Sequence, residues 1–328
     1  MSLPASLRSI GDNIFFGCTG LTSVSLAYGP TSIGKDTFTG CTGLTNLSLP
    51  ASLTSIGNST FRGCTGLTSV SLPASLALIS GYTFSGCTGL TSMSLPSSLT
   101  YIGDATFSSC AGLTSLSLPA NLSSIGNETF RNCIGLTSLS LPSSVVSIGD
   151  EAFASCANLR TALFSGDAPP SYGHPPFDFT ASGFTVYYLK GKTGFSSPTW
   201  RGYPATMIDP ATQPAATWLL ANGQTYNADL NTDTNLDGVS LLMAYALNLD
   251  PRLNLSDRLP QAALQGNTLG LTFYAASPGL TYRVEASGDL VHWSTDGITQ
   301  TALNRDGIST ATVPRSGPAQ FLRLAVSR

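Results

Sequence analysis

Charged residues are scarce in this chain of 328 residues. Asp, Glu, Lys and Arg make up 10% of it, whereas about a quarter of a typical soluble domain is charged. Neutral polar groups, chiefly Ser and Thr, must therefore cover the surface. The formal net charge of −3 gives no basic footprint for nucleic acid or for anionic lipid. No apolar run reaches the ~18–20 residues that a membrane-spanning helix needs.

Histidine is rarer still, with only His174 and His292 in the chain. His174 stands in a Pro-rich stretch, and His292 stands beside Trp293 in a predicted strand. The sequence has no G-x-S-x-G motif, and neither histidine has a motif partner for nucleophilic catalysis. The sequence therefore predicts no catalytic residues and no enzyme.

The N-terminus also has no apolar core of the kind that a signal peptide carries, so either the protein is cytoplasmic or its true start is missing. The chain opens at MSLP, in the middle of a predicted strand, and no cap covers the apolar end of the first coil. We therefore expect a truncated gene model that has lost a signal peptide and earlier repeats.

What the sequence does contain is a repeat of 23 residues, marked by seven cysteines. In each copy a Phe stands three residues before the Cys, an Ile eight before it and a Leu three after it. The cysteines are Cys18, Cys41, Cys64, Cys87, Cys110, Cys133 and Cys156. A fixed period of this length predicts a solenoid, in which each coil buries its apolar residues against the next.

Residues 44–49, LTNLSL, show how one copy builds its strand. Alternation points Leu44, Leu47 and Leu49 inward, and it points Asn46 and Ser48 outward. Pro50 then ends the strand, because proline cannot extend a ladder inside a sheet. Successive copies therefore predict a parallel β-sheet along the solenoid.

The cysteines allow three interpretations. Neighbouring coils stack ~4.8 Å apart, which is within the range of a disulfide. However, seven is an odd number, and every inner cysteine has two equivalent neighbours. A zinc site is disfavoured because each coil offers one Cys and no His. A column of buried free thiols that act as small apolar side chains is the favoured interpretation.

The pattern I-G-x-x-x-F-x-x-C-x-x-L-x-x-L-x-L-P resembles the BspA-like leucine-rich repeats of bacterial surface proteins, from residue 3 to about 164. The resemblance implies a leucine-rich repeat solenoid over residues 1–164 with a C-terminal cap over 165–208. It also implies an extracellular or cell-surface module that is not catalytic and that mediates adhesion or binds a protein or glycan.

The outward strand positions form two columns of small neutral residues, which we take as the candidate binding face. They are Ser23, Ser25, Asn46, Ser48, Ser69, Ser71, Ser92, Ser94, Ser115, Ser117, Ser138 and Ser140. Trp, Tyr and Arg dominate binding hot spots, and this face carries none of them before Arg160. Three hypotheses stay open: weak binding through many shallow contacts, a structural spacer or accessory region of a larger secreted protein such as a hydrolase, and binding of ice or ordered water.

Residues 209–251 predict a linker that contains an Asp/Asn-rich loop and a short helix. Asp233, Asn235 and Asp237 match the first oxygen ligands of a calcium loop, and Val239 would offer its carbonyl. Ala244 stands where the usual bidentate Glu is expected. The loop is therefore either a weak calcium site or a polar turn that caps a helix starting at Val239.

Residues 252–328 predict a small β-sandwich, because short alternating runs are broken by Gly, Pro and Asp. The runs are residues 268–275, 280–287, 291–294, 309–314 and 320–326. The segments DGVSLLMAYALNLDP, YRVEASGDLVHW and FLRL resemble C-terminal modules of large secreted bacterial proteins.

Overall fold

The computed structural model describes residues 6–26, 29–114, 116–170, 173–314 and 320–328. They form two compact units, and the boundary along the chain lies between Pro210 and Ala211. Residues 1–5, where the sequence predicts the middle of a strand, lie outside the described residues. The finer division of the chain into four parts stays a prediction.

The first unit is a β-solenoid followed by three further strands, whose segment we call the cap. The strands of the repeats are β1 (Ser9–Ile10), β2 (Ser23–Ser25), β3 (Ser32–Ile33), β4 (Asn46–Ser48), β5 (Ser55–Ile56), β6 (Ser69–Ser71), β7 (Leu78–Ile79), β8 (Ser92–Ser94), β9 (Tyr101–Ile102), β10 (Ser124–Ile125), β11 (Ser138–Leu141), β12 (Ser147–Ile148) and β13 (Thr161–Phe164). The strands of the cap are β14 (Thr185–Leu189), β15 (Thr199–Trp200) and β16 (Tyr203–Ile208).

Two rows of parallel strands run along the solenoid. The first row, called here the first sheet, contains the predicted L-x-x-L-x-L strands β2, β4, β6, β8, β11 and β13. The second row, called the second sheet, contains β1, β3, β5, β7, β9, β10 and β12. Partners in both rows are offset by one repeat, as in Ser23 with Asn46 and Ser32 with Ser55. The parallel solenoid is confirmed, but the second sheet was not predicted.

The core contains a continuous stack of phenylalanine rings. Neighbouring ring centroids lie 5.1 to 5.6 Å apart, and the ring planes are nearly parallel. The stack consists of Phe15, Phe38, Phe61, Phe84, Phe107, Phe130, Phe153 and, from the cap, Phe177. Each inner ring is covered by the same side chain of the coils before and after it, so identical residues stabilise one another along the axis.

The seven cysteines are free, as predicted. Six of them are buried, and each of these donates from its Sγ to the carbonyl of a Phe in the preceding coil, as Cys64 does to Phe38 at 3.1 Å. Burial raises the pKa of Cys64 and of Cys110 to about 12, so these thiols stay protonated at neutral pH. Cys18 is exposed, which differs from the prediction, because no described coil packs on its outer side.

Buried threonines form a second internal column. They are Thr37, Thr60, Thr83, Thr106 and Thr129, and they have no exposed surface. The Thr60 hydroxyl lies 2.7 Å from the carbonyl oxygen of Gly57 and 3.0 Å from that of Gly34 in the preceding coil. These hydroxyls therefore hold the turn of each coil in shape, and four of them also reach back to the coil before.

The cap continues the first sheet beyond the repeats. Strand β14 pairs in parallel with β13, and β16 pairs in parallel with β14. Strand β15 folds back antiparallel on β16. Phe177 extends the ring stack, and Phe195 and Trp200 pack against Phe164. The cap thus covers the last coil with aromatic side chains.

The second unit consists of two short helices and two antiparallel sheets. Its elements are α1 (Pro214–Ala221), α2 (Leu241–Ala246), a 3₁₀ turn (Ser256–Arg258), β17 (Ala263–Gln265), β18 (Thr268–Tyr274), β19 (Thr281–Ser287), β20 (Thr299–Gln300), β21 (Ile308–Pro314) and β22 (Phe321–Ser327). The strand orders are β17-β18-β21-β20 and β19-β22. Leu271 and Phe273 of one sheet share a core with Val284 of the other, in agreement with the predicted sandwich.

The structure differs from the sequence expectations at several places in this unit. Residues 214–217 belong to α1 and not to a linker, because Pro214 starts a helix whose Leu219 packs into a local core. Helix α2 begins at Leu241 and not at Val239, because Ser240 accepts from the backbone of Met243 as its N-cap. Residues 291–294 form no strand, and only Ser294 bridges to Ala286.

Candidate functional site

The candidate binding face lies on the outer side of the first sheet. In the central coils its side chains are exposed, whereas Ser23, Ser25, Ser138 and Ser140 are half-buried. Ser117 is exposed but lies outside any strand, and Ser115 lies outside the described residues. The structure brings Ser23 beside Asn46 and Ser69 beside Ser92 as register neighbours.

The first sheet is divided into sections. Strands β2 and β4 form one pair and β6 and β8 form another, while β11 and β13 join the cap strands. Between β4 and β6 lies a cleft of about 370 Å³, lined by Leu47, Ser48, Leu49, Ala51, Ser71, Leu72 and Pro73. Leu47 and Leu49 are only half-buried there. The candidate face is therefore not one uninterrupted lattice.

The hydroxyls beside this face divide into two kinds. Thr45 and Thr91 lie next to the face, and their hydroxyls donate to the carbonyls of Thr22 and Thr68 in the preceding coils at 3.1 Å. Ser48, Ser69, Ser71, Ser92 and Ser94 are exposed, and within the described residues their hydroxyls bond to no protein group. The hydroxyls of Thr45 and Thr91 therefore help to hold neighbouring coils together, and the five serine hydroxyls are available to a ligand.

The second sheet presents a different surface, which the sequence analysis missed. Its outward position is Ser in most coils, but Leu78 and Tyr101 occupy it in two adjacent coils. Both side chains are exposed. The signal that could have found them is this departure from the repeat pattern, once the second strand of the coil is known.

In the Asp/Asn-rich loop of the second unit, the carboxylates of Asp233 and Asp237 accept hydrogen bonds from backbone N–H groups. Asp233 accepts from the backbone of Gly238 at 2.7 Å, and Asp237 accepts from Val239 at 2.8 Å and from Leu255 at 2.6 Å. The bond from Leu255, with further bonds from Val239 and Asn235, holds the pKa of Asp237 below its usual range. Within the described residues, no group of three or more Asp, Glu, His or Cys side chains is placed to hold a metal ion. The calcium site at these residues stays a prediction.

The two histidines belong to different units of the chain. His174 is exposed in the cap. His292 lies with its Nδ1 2.7 Å from Asp289, and this bond raises the pKa of His292 and lowers that of Asp289. Ser287 donates to Asp289 and not to the imidazole. The pair therefore fixes a loop, and its geometry is not that of a Ser-His-Asp triad.

Within the part of the chain that the structure describes, none of the helices has the length and apolar composition that a membrane span requires.

The model of the BspA type leucine rich repeat region matches residues 1–111 and 56–168, with six copies. Among solved structures, the chain is similar to a leucine-rich repeat protein from Bacteroides ovatus, with 22% identity over 64% of this chain and 70% of that chain and a TM-score of 0.47. It is also similar to a leucine rich cell surface protein from Faecalibacterium prausnitzii, with 22% identity over 63% of this chain and 68% of that chain and a TM-score of 0.46. No curated protein matches the chain. Since the matched ranges together span just over half of its residues, the chain belongs to the family of proteins with BspA-type leucine-rich repeats.

Proposed function

We propose that the solenoid is a non-catalytic interaction or adhesion module that works at the cell surface or outside the cell. It binds a protein or glycan through the outer side of the first sheet. One observation carries this proposal: five exposed serine hydroxyls on the face bond to no described protein group, whereas the hydroxyls of Thr45 and Thr91 beside them are bonded to the backbone. The family to which the repeats belong supports the same function.

The two other hypotheses, a structural spacer and ice binding, account less well for the exposed serine hydroxyls and for the interrupted first sheet. A spacer needs no exposed row of unbonded hydroxyls. Ice binding needs a regular lattice, and the sections of the first sheet are separated by the cleft between β4 and β6. Weak binding through many shallow contacts tolerates such interruptions.

The test uses the full chain, labelled with a fluorophore, on a glycan array and on intact bacterial and epithelial cells in flow cytometry. The blocking variant places arginine on the face as Ser69→Arg with Ser92→Arg. The control variant places arginine at the exposed positions of another side of the same coils, as Thr65→Arg with Thr88→Arg.

The proposal predicts that the wild type and the control bind and that the blocking variant loses most of its binding. Equal binding by the two variants would place the ligand on another surface. If the chain binds neither cells nor any glycan, the spacer hypothesis is favoured. A thermal hysteresis of freezing, measured separately, would favour ice binding.

A further inference from the structure

Two coils break the regularity of the second sheet. Its outward position holds Ser9, Ser32, Ser55, Ser124 and Ser147 in five coils. In the coils of Cys87 and Cys110 it holds Leu78, which is 47% exposed, and Tyr101, which is 39% exposed. The two residues are register partners in adjacent strands, so their side chains stand next to each other on one face.

Tyr82 extends this apolar area along the same coil. It is exposed, and its backbone is left-handed with a φ of 59°, a conformation that is unfavourable for a bulky residue. The backbone is left-handed at this position in all seven coils, and the other six hold Asn13, Asp36, Ser59, Ala105, Glu128 and Glu151. Tyr82 is the aromatic residue among these seven positions and lies outside the apolar core of the solenoid, so its exposed ring is available to a partner.

Arg62 adds a positive charge. Its guanidinium carbon lies 6.0 Å from the centroid of the Tyr82 ring. Among the described residues, no carboxylate lies within ion-pair distance of Arg62. Arg131, at the same position of a later coil, is instead paired with Glu128 and Glu151. The charge of Arg62 is thus available to a partner.

Asp104 connects the two tyrosines. Its carbonyl accepts from the backbone of Tyr82 at 2.8 Å. Asp104 follows Tyr101 by three residues in the same coil, and burial and the charge of Asp104 both raise the pKa of Tyr101. Leu78, Tyr82, Tyr101 and Arg62 lie on three successive coils, which are joined by the Leu78–Tyr101 register pair, by this backbone bond and by the approach of Arg62 to Tyr82; we call the four residues the tyrosine patch.

We propose that the tyrosine patch binds a protein partner that presents a carboxylate beside an apolar side chain. The carboxylate pairs with Arg62, and the apolar side chain packs between Leu78 and Tyr101. Tyr and Arg are the residues that dominate binding hot spots. Tyrosine surrounded by Ser, Thr and Gly is also the composition of antibody paratopes, in which rigid rings supply contact area and small polar residues adapt.

Charge complementarity favours a protein over a neutral glycan. A neutral sugar would leave the guanidinium of Arg62 without a counter-charge, and Leu78 would gain little from sugar hydroxyls. The patch lies on the second sheet, so the inference is independent of whether the first sheet binds a ligand.

The experiment selects ligands from a library of random peptides displayed on phage, with the full chain as the target. The selected peptides are then made synthetically, and their affinities are measured by fluorescence anisotropy. The patch variant carries Leu78→Ser, Tyr82→Ser and Tyr101→Ser, each of which restores a residue that other coils hold at that position. The matched control is Val146→Ser, which removes a side chain that is 63% exposed beside the same sheet.

We expect the selected peptides to be enriched in Asp or Glu next to Leu, Ile or Phe. Their affinity should fall by about tenfold or more on the patch variant and stay unchanged on the control. Arg62→Ser alone should weaken binding and reduce its dependence on salt. Circular dichroism and melting confirm that the variants fold.

The inference is overturned if no peptide is enriched, if acidic residues are not selected, or if the peptides bind the patch variant as well as the wild type. Binding of neutral glycans that is lost on the patch variant would also overturn it, because the partner would then be a carbohydrate.

Discussion

At the scale of single residues, one glycine in each typical repeat lies where the backbones of two neighbouring coils approach each other closely. The glycine that follows the repeat Ile, such as Gly11 or Gly57, has no positive φ. This glycine is therefore not needed for a left-handed turn. A Cβ at Gly57 would instead lie 2.5 Å from the backbone nitrogen of Lys35 in the preceding coil. At Gly57 the lack of a side chain allows the two coils to stack this closely, whereas in the coil of Cys87 the same position holds Ser80, whose hydroxyl donates to the carbonyl of Ile56 at 2.6 Å.

The same position in two coils gives a matched test of this close approach. Gly57→Ala should destabilise the solenoid by about 1–3 kcal/mol, because the methyl group would force two coils apart. At Gly11 a Cβ would meet nothing closer than Ile14 at 3.6 Å, so Gly11→Ala should change stability by less than about 0.5 kcal/mol. Urea unfolding of both variants measures the difference. Equal effects would show that the glycine serves the turn and not the stacking.

At the scale of elements, the sequence predicted the strands that alternate and missed those that do not. LTNLSL alternates over enough residues to be recognised, whereas a strand such as Ser55–Ile56 has two residues and no period. The exposure of Leu78 and Tyr101 follows from that second strand, so the tyrosine patch could not be located beforehand. Helix α1 was hidden because residues 209–217 have the composition of a linker, although proline at the start of a helix is common.

The candidate site was predicted in part. The identities of the outward residues on the first sheet followed from alternation along each strand. The division of that sheet at β4 and β6 did not, because it depends on how neighbouring coils pack. The sequence pattern also did not show that the hydroxyls of Thr45 and Thr91 bond to the backbone of the preceding coil.

The Asp/Asn-rich loop gives a prediction on pH. Hydrogen bonds to Asp237 lower its pKa in the folded state, so its stabilising contribution is fully present above the ordinary pKa of about 3.9. The contribution is lost as pH falls through the lowered folded value. Asp237→Asn should therefore reduce the melting temperature of the second unit at neutral pH, followed by the fluorescence of Trp218 and Trp293. The difference from wild type should disappear in acid, and a difference that persists there would contradict this assignment.

The two hypotheses for the same loop also predict different responses to calcium. Because the carboxylates of Asp233 and Asp237 already accept backbone N–H groups, we expect the melting temperature of the second unit to be unchanged between millimolar calcium and a chelator. A calcium site formed by Asp233, Asn235, Asp237 and Val239 would instead raise the melting temperature with calcium concentration. Asp233→Asn should then abolish that rise.

At the scale of the whole molecule, stability is approximately a sum over neighbouring coils. Phe84 stacks on Phe61 at 5.5 Å and on Phe107 at 5.6 Å, whereas Phe15 stacks only on Phe38 among the described residues. Phe84→Ala should therefore cost about 3–5 kcal/mol, and Phe15→Ala clearly less. Chemical unfolding of the full chain, followed by circular dichroism, measures both. Similar losses at the two positions would contradict a sum over neighbours.

The account rests on one arrangement, in which identical side chains of successive coils line the interior of the solenoid. Counting thiols that react with Ellman's reagent tests it most directly. In the native chain near neutral pH, only Cys18 should react quickly, because the other six cysteines are buried and protonated. In denaturant without reductant, all seven should react. Several thiols that react quickly in the native chain would contradict the buried column, and fewer than seven in denaturant would show that some cysteines are paired as disulfides.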